Sequence, residues 1–308
     1  MKKSQLKRIK RIRRIRKIRT ILFTTIIIMS VVSMLQIFNR MHKLGINDYR
    51  KVEALAGNIE ESDKEEKINI LDNSGYINLE EDVNADDVSI ILPETMYKWN
   101  FYREDNRKIA YLTFDDGPSE KSTERILDIL KENGIKATFF ILGSSVENQS
   151  NSTDTLKRIA KEGHAIGSHG YSHKYSKLYP NRTVDVNAVI EDFKKNDEIL
   201  KDILGKDFFT RVIRLPGGHS SWKGTEQLDE VLKENNIWQV DWNALNGDAE
   251  GKDFSKEVLL KRLKETVGNQ DIAIILMHDS DSKKGTIEYL QSAIDYLKSQ
   301  GFEFRTLK

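Results

Sequence analysis

From residue 108 to the C-terminus, short apolar runs alternate with longer amphipathic segments. The apolar runs are rich in β-branched and aromatic residues, and they predict strands at 108–115, 136–142, 164–169, 211–215, 237–242, 271–278 and 302–306. Between them, apolar residues at helical spacing predict helices at 122–133, 153–162, 184–204, 225–235, 255–267 and 285–300. This alternation predicts a parallel sheet whose strands are joined by crossover helices.

The number of strands narrows the class of fold. Seven strands within 106–308 favour one barrel-like α/β domain over two smaller domains. A doubly wound open sheet is the alternative, because it has the same alternation of strands and helices.

The N-terminus has a different pattern. Residues 1–20 contain 11 Lys or Arg and no acid, and 21–38 form an 18-residue run without a charge. Such a run is near the minimum that spans a bilayer, and the basic flank predicts that this end stays in the cytoplasm. We therefore expect a basic cytoplasmic tail and a single-pass signal-anchor, which places the remainder outside the cytoplasm. Cleavage of the segment, with secretion of the remainder, is the alternative.

Residues 39–105 are acidic, with 13 Asp or Glu between Glu53 and Glu94 and only Lys64 and Lys67 as bases. This composition is typical of a stalk, and the short apolar pieces within it allow a small cap region instead. Beyond residue 20 the chain has 38 basic and 48 acidic residues, so we expect no nucleic-acid partner. The chain has no cysteine, which excludes disulfides and thiolate sites. Nothing indicates an obligate protein partner.

Polar clusters follow five of the predicted strands. They are "FDDGP" (114–118), "SHGYSH" (168–173), "RLPGGH" (214–219), "VDWN" (240–243) and "LMHD" (276–279). Each cluster alone has a structural explanation, such as a turn, a buried ion pair or a core histidine. Together they lie at the carboxyl ends of parallel strands, which share one rim and form the active site in α/β barrels.

The histidine pair in this set indicates a metal site. His169 and His173 supply two imidazoles, and one carboxylate of Asp115 or Asp116 completes a three-ligand set for Zn²⁺ or a similar divalent ion. Neighbouring side chains on an extended chain point in different directions, so the second carboxylate is available as a base. His278 follows another strand and can protonate a leaving group.

With these motifs the sequence strongly resembles the polysaccharide deacetylases with the NodB homology domain, carbohydrate esterase family 4. The motifs are "TFDDGP", "HGYSH", "RLPGG", "DW" and "LMH", and the resemblance covers about residues 106–308. It implies a distorted, incomplete (β/α) barrel and metal-dependent removal of N-acetyl groups from polymeric amino sugars. Some members of the family remove O-acetyl groups from xylan.

The resemblance also implies a role for each motif residue. Asp115 is the general base, held by Arg214, and His278 is the general acid, oriented by Asp241. The residues implied to bind the metal, zinc or alternatively cobalt, nickel or manganese, are Asp116, His169 and His173. The residues implied to form the substrate pocket are Pro216, Gly217, Trp242 and Leu276, with the backbone N–H after Pro216 as an oxyanion donor.

The chain departs from the family at one point, because Gly217 and Gly218 follow Pro216 where an aromatic residue is frequent. This change puts the substrate preference in doubt more than the chemistry. We expect a membrane-anchored deacetylase of peptidoglycan, acting on N-acetylglucosamine or N-acetylmuramic acid. The alternatives are an O-acetyl esterase of the xylan type and a catalytically inactive module that binds wall glycan.

Overall fold

The structure is a computed structural model that describes residues 85–250 and 254–308. The predicted basic tail, signal-anchor and most of the acidic segment lie outside these residues. No helix within the described ranges combines the length and hydropathy needed to span a bilayer.

Short parallel strands form the centre of the described chain. Their bounds are β1 Ala85–Asp86, β2 Lys108–Asp115, β3 Thr138–Ile141, β4 Ala165–Ser168, β5 Val212–Ile213, β6 Trp238–Gln239, β7 Ala244–Leu245, β8 Ile272–His278, β9 Phe302–Phe304 and β10 Thr306–Leu307. The main sheet has the order β6-β5-β4-β3-β2-β8-β7, with β9 also paired to β2, and β1 pairs with β10. Every pairing among the described strands is parallel. The prediction of a parallel α/β sheet of the incomplete-barrel type is confirmed.

Helices connect the strands, as the alternating pattern predicts. Their bounds are α1 Val88–Glu94, α2 Ser122–Glu132, α3 Gly143–Asn148, α4 Ser152–Lys161, α5 Tyr175–Leu178, α6 Val186–Leu204, α7 Glu226–Glu234, α8 Lys256–Val267 and α9 Lys284–Ser299, with 3-10 turns at Pro180–Arg182 and His219–Ser221. The six predicted helices agree with the structure to within two residues at each end. The three other helices have seven residues or fewer, too short to give a periodic signal.

Strand β2 is buried on both faces. Its alternate residues enter two apolar clusters, with Leu112 and Phe114 in one and Ile109 and Tyr111 in the other. A strand between two packed layers has a nearly continuous apolar sequence, which explains the run that precedes the two aspartates. Strand β8 pairs with β2 along its whole length and places His278 opposite Asp115.

The structure differs from the prediction in two places. Only Trp238–Gln239 (β6) of the strand expected at 237–242 is a strand, and an unpredicted strand, β7 at Ala244–Leu245, lies at the opposite end of the sheet order. In addition, part of the expected stalk packs on the domain. Strand β1 pairs with β10, and Val88, Leu92 and Phe101 are buried in the second apolar cluster.

Candidate active site

The two adjacent aspartates lie where β2 ends in a sharp turn. Asp115 is the last strand residue and is 2% exposed, whereas Asp116 has a φ of 79°, a left-handed conformation that aspartate tolerates better than most residues. Two hydrogen bonds from the segment after β3 stabilise this turn. Ser145 Oγ donates to the Asp116 carbonyl at 2.7 Å, and the Leu142 N–H donates to the Gly117 carbonyl at 2.9 Å. The change of backbone conformation directs the two carboxylates to different partners.

Asp116, His169 and His173 are brought together as a candidate metal site. One ligand atom from each lies within 4.8 Å of the others, and Asp116 Oδ1 is 3.6 Å from the Nε2 atom of each histidine. Asp116 Oδ1 is buried and accepts no hydrogen bond from the described residues. A buried carboxylate oxygen without a donor, facing two imidazole nitrogens, fits a divalent cation such as Zn²⁺.

The environment of His169 suits a metal ligand. Its Nδ1 lies 2.8 Å from the Arg214 carbonyl, which favours the tautomer with a proton on Nδ1 and leaves Nε2 free for the cation. Burial lowers the pKa of His169 to about 3 against the opposing charge of Asp116. The imidazole is therefore neutral at physiological pH, as metal ligation requires.

Asp192 supports the loop that carries both histidines. Its buried Oδ2 accepts hydrogen bonds from the backbone N–H groups of Tyr171 at 2.7 Å and Ser172 at 3.0 Å. It thereby fixes the segment between His169 and His173 from helix α6.

Arg214 anchors the other aspartate. Its guanidinium is fully buried and donates to Asp115 Oδ1, Thr113 Oγ1 and the Val240 carbonyl, each at 2.8 Å. Burial raises the pKa of Asp115, and the charge and hydrogen bond of Arg214 oppose that rise. A raised carboxyl pKa makes Asp115 a better proton acceptor than an ordinary aspartate, provided that it is ionised.

The partner of His278 is Asp248, and the expectation that Asp241 orients His278 is wrong. His278 Nδ1 lies 2.7 Å from Asp248 Oδ1, and the His278 N–H donates to Asp248 Oδ2 at 2.9 Å. Burial alone would lower the pKa of His278, but the hydrogen bond and charge of Asp248 raise it to about 9. His278 is therefore protonated at neutral pH.

Asp241 has a structural role instead. Its Oδ1 accepts hydrogen bonds from the His219 N–H at 3.0 Å and from Gln239 Nε2 at 2.6 Å. The difference arises because Asp241 follows β6, at the far end of the sheet order from β7 and β8. Asp248 follows β7, the neighbour of β8 that pairs Leu245 with Leu276.

These groups surround a cavity of about 370 Å³. Its lining includes Asp115, Asp116, His169, His173 and His278 together with Gly217, Trp242 and Leu276 from the predicted pocket. Pro216 does not line the cavity, and its carbonyl accepts the indole N–H of Trp222 at 2.9 Å. The Gly217 N–H has no acceptor among the described residues, so it is available as the predicted oxyanion donor.

Sequence reasoning missed two groups of this site, Asp248 and Tyr175, which both line the cavity. The signal for Asp248 is the turn "NGD" at 246–248, directly after a two-residue strand. A strand so short gives no periodic pattern, so its neighbour in the sheet could not be assigned. Tyr175 begins helix α5, two residues after a metal-ligand candidate, and had no distinguishing pattern.

Taken together, the fold and site define a partial-barrel α/β protein in which a buried aspartate and a buried histidine lie beside a candidate three-ligand metal site. The polysaccharide deacetylase family matches residues 102–237. A peptidoglycan-N-acetylglucosamine deacetylase of Bacillus cereus is 34% identical over 240 residues, 75% of this chain and 79% of its own length. The Streptococcus mutans CE4 esterase superposes with a TM-score of 0.70 at 33% identity, covering 79% of this chain and 99% of that chain.

A peptidoglycan-N-acetylglucosamine deacetylase of Listeria monocytogenes is 36% identical over 203 residues. The match covers 66% of this chain and 38% of that protein, so this chain spans well under half of that relative. The similarity to the Bacillus cereus protein covers most of both chains. The chain belongs to the polysaccharide deacetylase family.

Proposed function

We propose that the protein is a metal-dependent deacetylase that removes N-acetyl groups from a polymeric amino sugar, with peptidoglycan as the preferred polymer. The observation that carries the proposal is the shared cavity, which is lined by the candidate metal ligands, by Asp115 and by the Asp248–His278 pair. The names of the relatives from Bacillus cereus and Listeria monocytogenes support the choice of peptidoglycan.

Asp116, His169 and His173 would hold the divalent ion, for which zinc suits the two imidazoles and the carboxylate. When bound, the ion supplies Lewis-acid chemistry, polarising the acetamide carbonyl and acidifying water. Asp115 lies beside these three residues, with its Oδ2 atom 3.9 Å from His169 Nε2, but its Oδ1 atom is paired to Arg214. It is therefore the carboxylate left for proton transfer.

The reaction needs a proton acceptor and a proton donor on the two sides of the scissile amide. Asp115 Oδ2 accepts the proton of the attacking water, while Oδ1 stays hydrogen-bonded to Arg214. The protonated His278 delivers a proton to the departing amine, and Asp248 stabilises the imidazolium before transfer. The Gly217 N–H donates to the developing oxyanion, and acetate and the free amine are the products.

Acetate release tests this function. The full chain, purified in detergent with Zn²⁺, is expected to release acetate from peptidoglycan and from N-acetylglucosamine oligomers. Asp115→Asn should abolish turnover, and so should a chelator. Acetate release that persists with the chelator would exclude metal-dependent chemistry. Release only from O-acetylated xylan would favour the esterase alternative.

Metal content tests the division of labour between the aspartates. Asp116→Ala is expected to lose zinc, measured by elemental analysis after gel filtration, because it removes the orphaned Oδ1 atom. Asp115→Asn is the matched control, since it keeps its bond to Arg214 and should retain zinc. Equal zinc loss in both variants would contradict this assignment.

We also propose that residues 21–38 anchor the protein in the membrane with the catalytic domain outside the cytoplasm. The 18-residue uncharged run and its basic flank support this placement. Fractionation of cells that express the chain should find it in the membrane, accessible to protease only from outside. Recovery of a shortened chain from the medium would indicate cleavage instead.

A further inference from the structure

A second open cavity of about 280 Å³ adjoins the candidate active site. It is lined by Tyr175, Arg182, Gly217, Ser221 and Trp222. Tyr175 and Gly217 also line the catalytic cavity, so the two spaces meet at these residues. We call the surface formed by Tyr175, Arg182 and Trp222 the shelf.

The aromatic part of the shelf is held firmly. The Trp222 ring stacks on the buried Tyr179 ring at a centroid distance of 4.0 Å, and its indole N–H donates to the Pro216 carbonyl. Tyr175 packs edge-on against Trp222 at 5.0 Å and is 44% exposed. A fixed aromatic face that is open to solvent suits the apolar face of a sugar ring, and little conformational entropy is lost on binding.

Gly217 allows the rings of Tyr175 and Trp222 to pack closely against the backbone at the boundary between the two cavities. A Cβ atom there would lie 2.9 Å from the Trp222 ring and 3.1 Å from the Tyr175 hydroxyl, and the residue has a φ of 82°. Because no side chain fits, the rings of Tyr175 and Trp222 form the wall directly against bare backbone. The two cavities share this wall, which places neighbouring units of one sugar chain within reach of both.

Arg182 brings a positive charge to the shelf. It is exposed, and one Nη2 hydrogen is donated to the Ser221 carbonyl at 3.0 Å. Its guanidinium forms no ion pair with any residue in 85–250 or 254–308. The remaining donors match a carboxylate, which arginine binds in a forked geometry.

We propose that the shelf binds the sugar next to the one that loses its acetyl group, and that Arg182 pairs with a carboxylate on that sugar or on its substituent. This inference rests on the proposed function, and it selects acidic glycans over neutral ones as the substrate class. In peptidoglycan the carboxylate has two sources: the lactyl group of a muramic sugar that carries no peptide, and the attached peptide where one is present. A cavity of this size accommodates one sugar ring rather than an oligosaccharide.

The test compares Arg182→Gln with the wild-type full chain, both loaded with zinc, on three substrates. These are peptide-bearing glycan strands, strands whose peptides have been removed, and a neutral N-acetylglucosamine oligomer of similar length. The kcat/KM ratio of acidic to neutral substrate should fall ~10-fold in Arg182→Gln, mainly through KM, as expected for one charge-assisted hydrogen-bonded pair. A fall confined to one type of strand identifies the source of the carboxylate. An unchanged ratio overturns the proposal.

Two controls keep the outcome specific. Arg107→Gln removes an exposed arginine that pairs with Glu303 at the amino end of β2, and it should leave the ratio unchanged. Trp222→Phe keeps an aromatic ring but loses the indole hydrogen bond, and it should weaken all three substrates alike. Zinc content is measured in each variant, because the Tyr175 ring packs 5.1 Å from that of His173.

Failure of the proposed deacetylase function can be distinguished from failure of the shelf proposal. If the wild-type chain releases no acetate from any glycan, the deacetylase proposal fails, and the shelf is then tested by binding alone. Tryptophan fluorescence titrated with peptide-bearing strands, peptide-free strands and the neutral oligomer should show tighter binding of at least one kind of strand, lost in Arg182→Gln. Equal affinity of the wild-type chain for all three ligands overturns the shelf proposal.

Discussion

Replacing Asp248 with asparagine should convert His278 from a proton donor that works up to alkaline pH into one that fails near neutrality. Asp248 is buried, and its Oδ1 lies 2.7 Å from His278 Nδ1. Its Oδ2 accepts from Thr286 Oγ1 at 2.6 Å and from the His278 N–H at 2.9 Å. An asparagine can keep the hydrogen bonds of one carboxylate oxygen through its amide oxygen, but it removes the negative charge.

The size of the effect follows from the pKa of His278. Its rise from 6.5 to about 9 corresponds to ~3 kcal/mol in favour of the imidazolium, against the cost of burial. Once the charge of Asp248 is lost, burial opposes the imidazolium, so a pKa of 6.5 or below is expected and the protonated fraction at pH 8 falls from ~90% to ~3% or less. The variant should therefore lose at least ~30-fold in kcat at pH 8 and a smaller factor at pH 6.

The assay is acetate release from one substrate at saturating concentration across pH 5.5–9.5, with zinc content measured at each pH. The alkaline limb of the Asp248→Asn profile should shift to lower pH by at least ~2.5 units, the difference between about 9 and 6.5. Asp241→Asn is the matched control, because this carboxylate bonds His219 and Gln239 and should leave the limb in place. An alkaline limb that stays in place in Asp248→Asn, or that moves instead in Asp241→Asn, would refute the reasoning. NMR titration of His278 gives the same answer without turnover.

Three further predictions concern the support of the site. Arg214→Met should destabilise the fold by ~3–5 kcal/mol in denaturant unfolding, because it leaves the buried Asp115 carboxylate unpaired, and an effect below 1 kcal/mol would contradict that pairing. Asp192→Ala should weaken zinc binding ~10–100-fold in competition titrations with a chromophoric chelator, whereas Asp192→Asn, which keeps an acceptor for the two N–H groups, should weaken it less. Burial raises the pKa of Asp279 from 3.8 to about 7, so the native state binds an extra proton between these values and wild-type stability should fall as pH rises through that window. Asp279→Asn should reduce this fall, measured by unfolding the metal-free protein at pH 5 and pH 8, and an unchanged slope would show that Asp279 does not contribute to it.

The fold was predictable where the hydrophobic pattern within a single helix or strand is enough to identify it. Strand β2 has the predicted bounds, 108–115, because burial on both faces makes the run from Ile109 to Phe114 apolar apart from Thr113. Helix α6 was predicted to within two residues at its start, since nineteen residues give a strong periodic pattern. The local sequence is therefore sufficient to predict a long helix or strand whose residues share the same surroundings along its length.

The partner of His278 was not predictable in this way. The segment 237–242 resembles one strand, yet the chain leaves the sheet after two residues of β6 and re-enters as β7 at the other end. Only the pairing of Ala244 with Ile275 brings the following loop to His278. Such a pairing is a property of the strand order of the whole sheet, so no local pattern could distinguish Asp248 from Asp241.

The pair of aspartates shows how local conformation separates two identical side chains. If both residues continued the strand, Asp115 and Asp116 would point to opposite faces, and one would enter the apolar layer around Phe114 and Phe139. The left-handed φ of Asp116 ends the strand after one carboxylate and keeps the second on the open side. Gly117 makes this turn possible, because a Cβ there would lie 2.0 Å from Asp279 Oδ2. The role of each aspartate is therefore set by the turn as much as by its partners, and Gly117→Ala should impair zinc binding and turnover together.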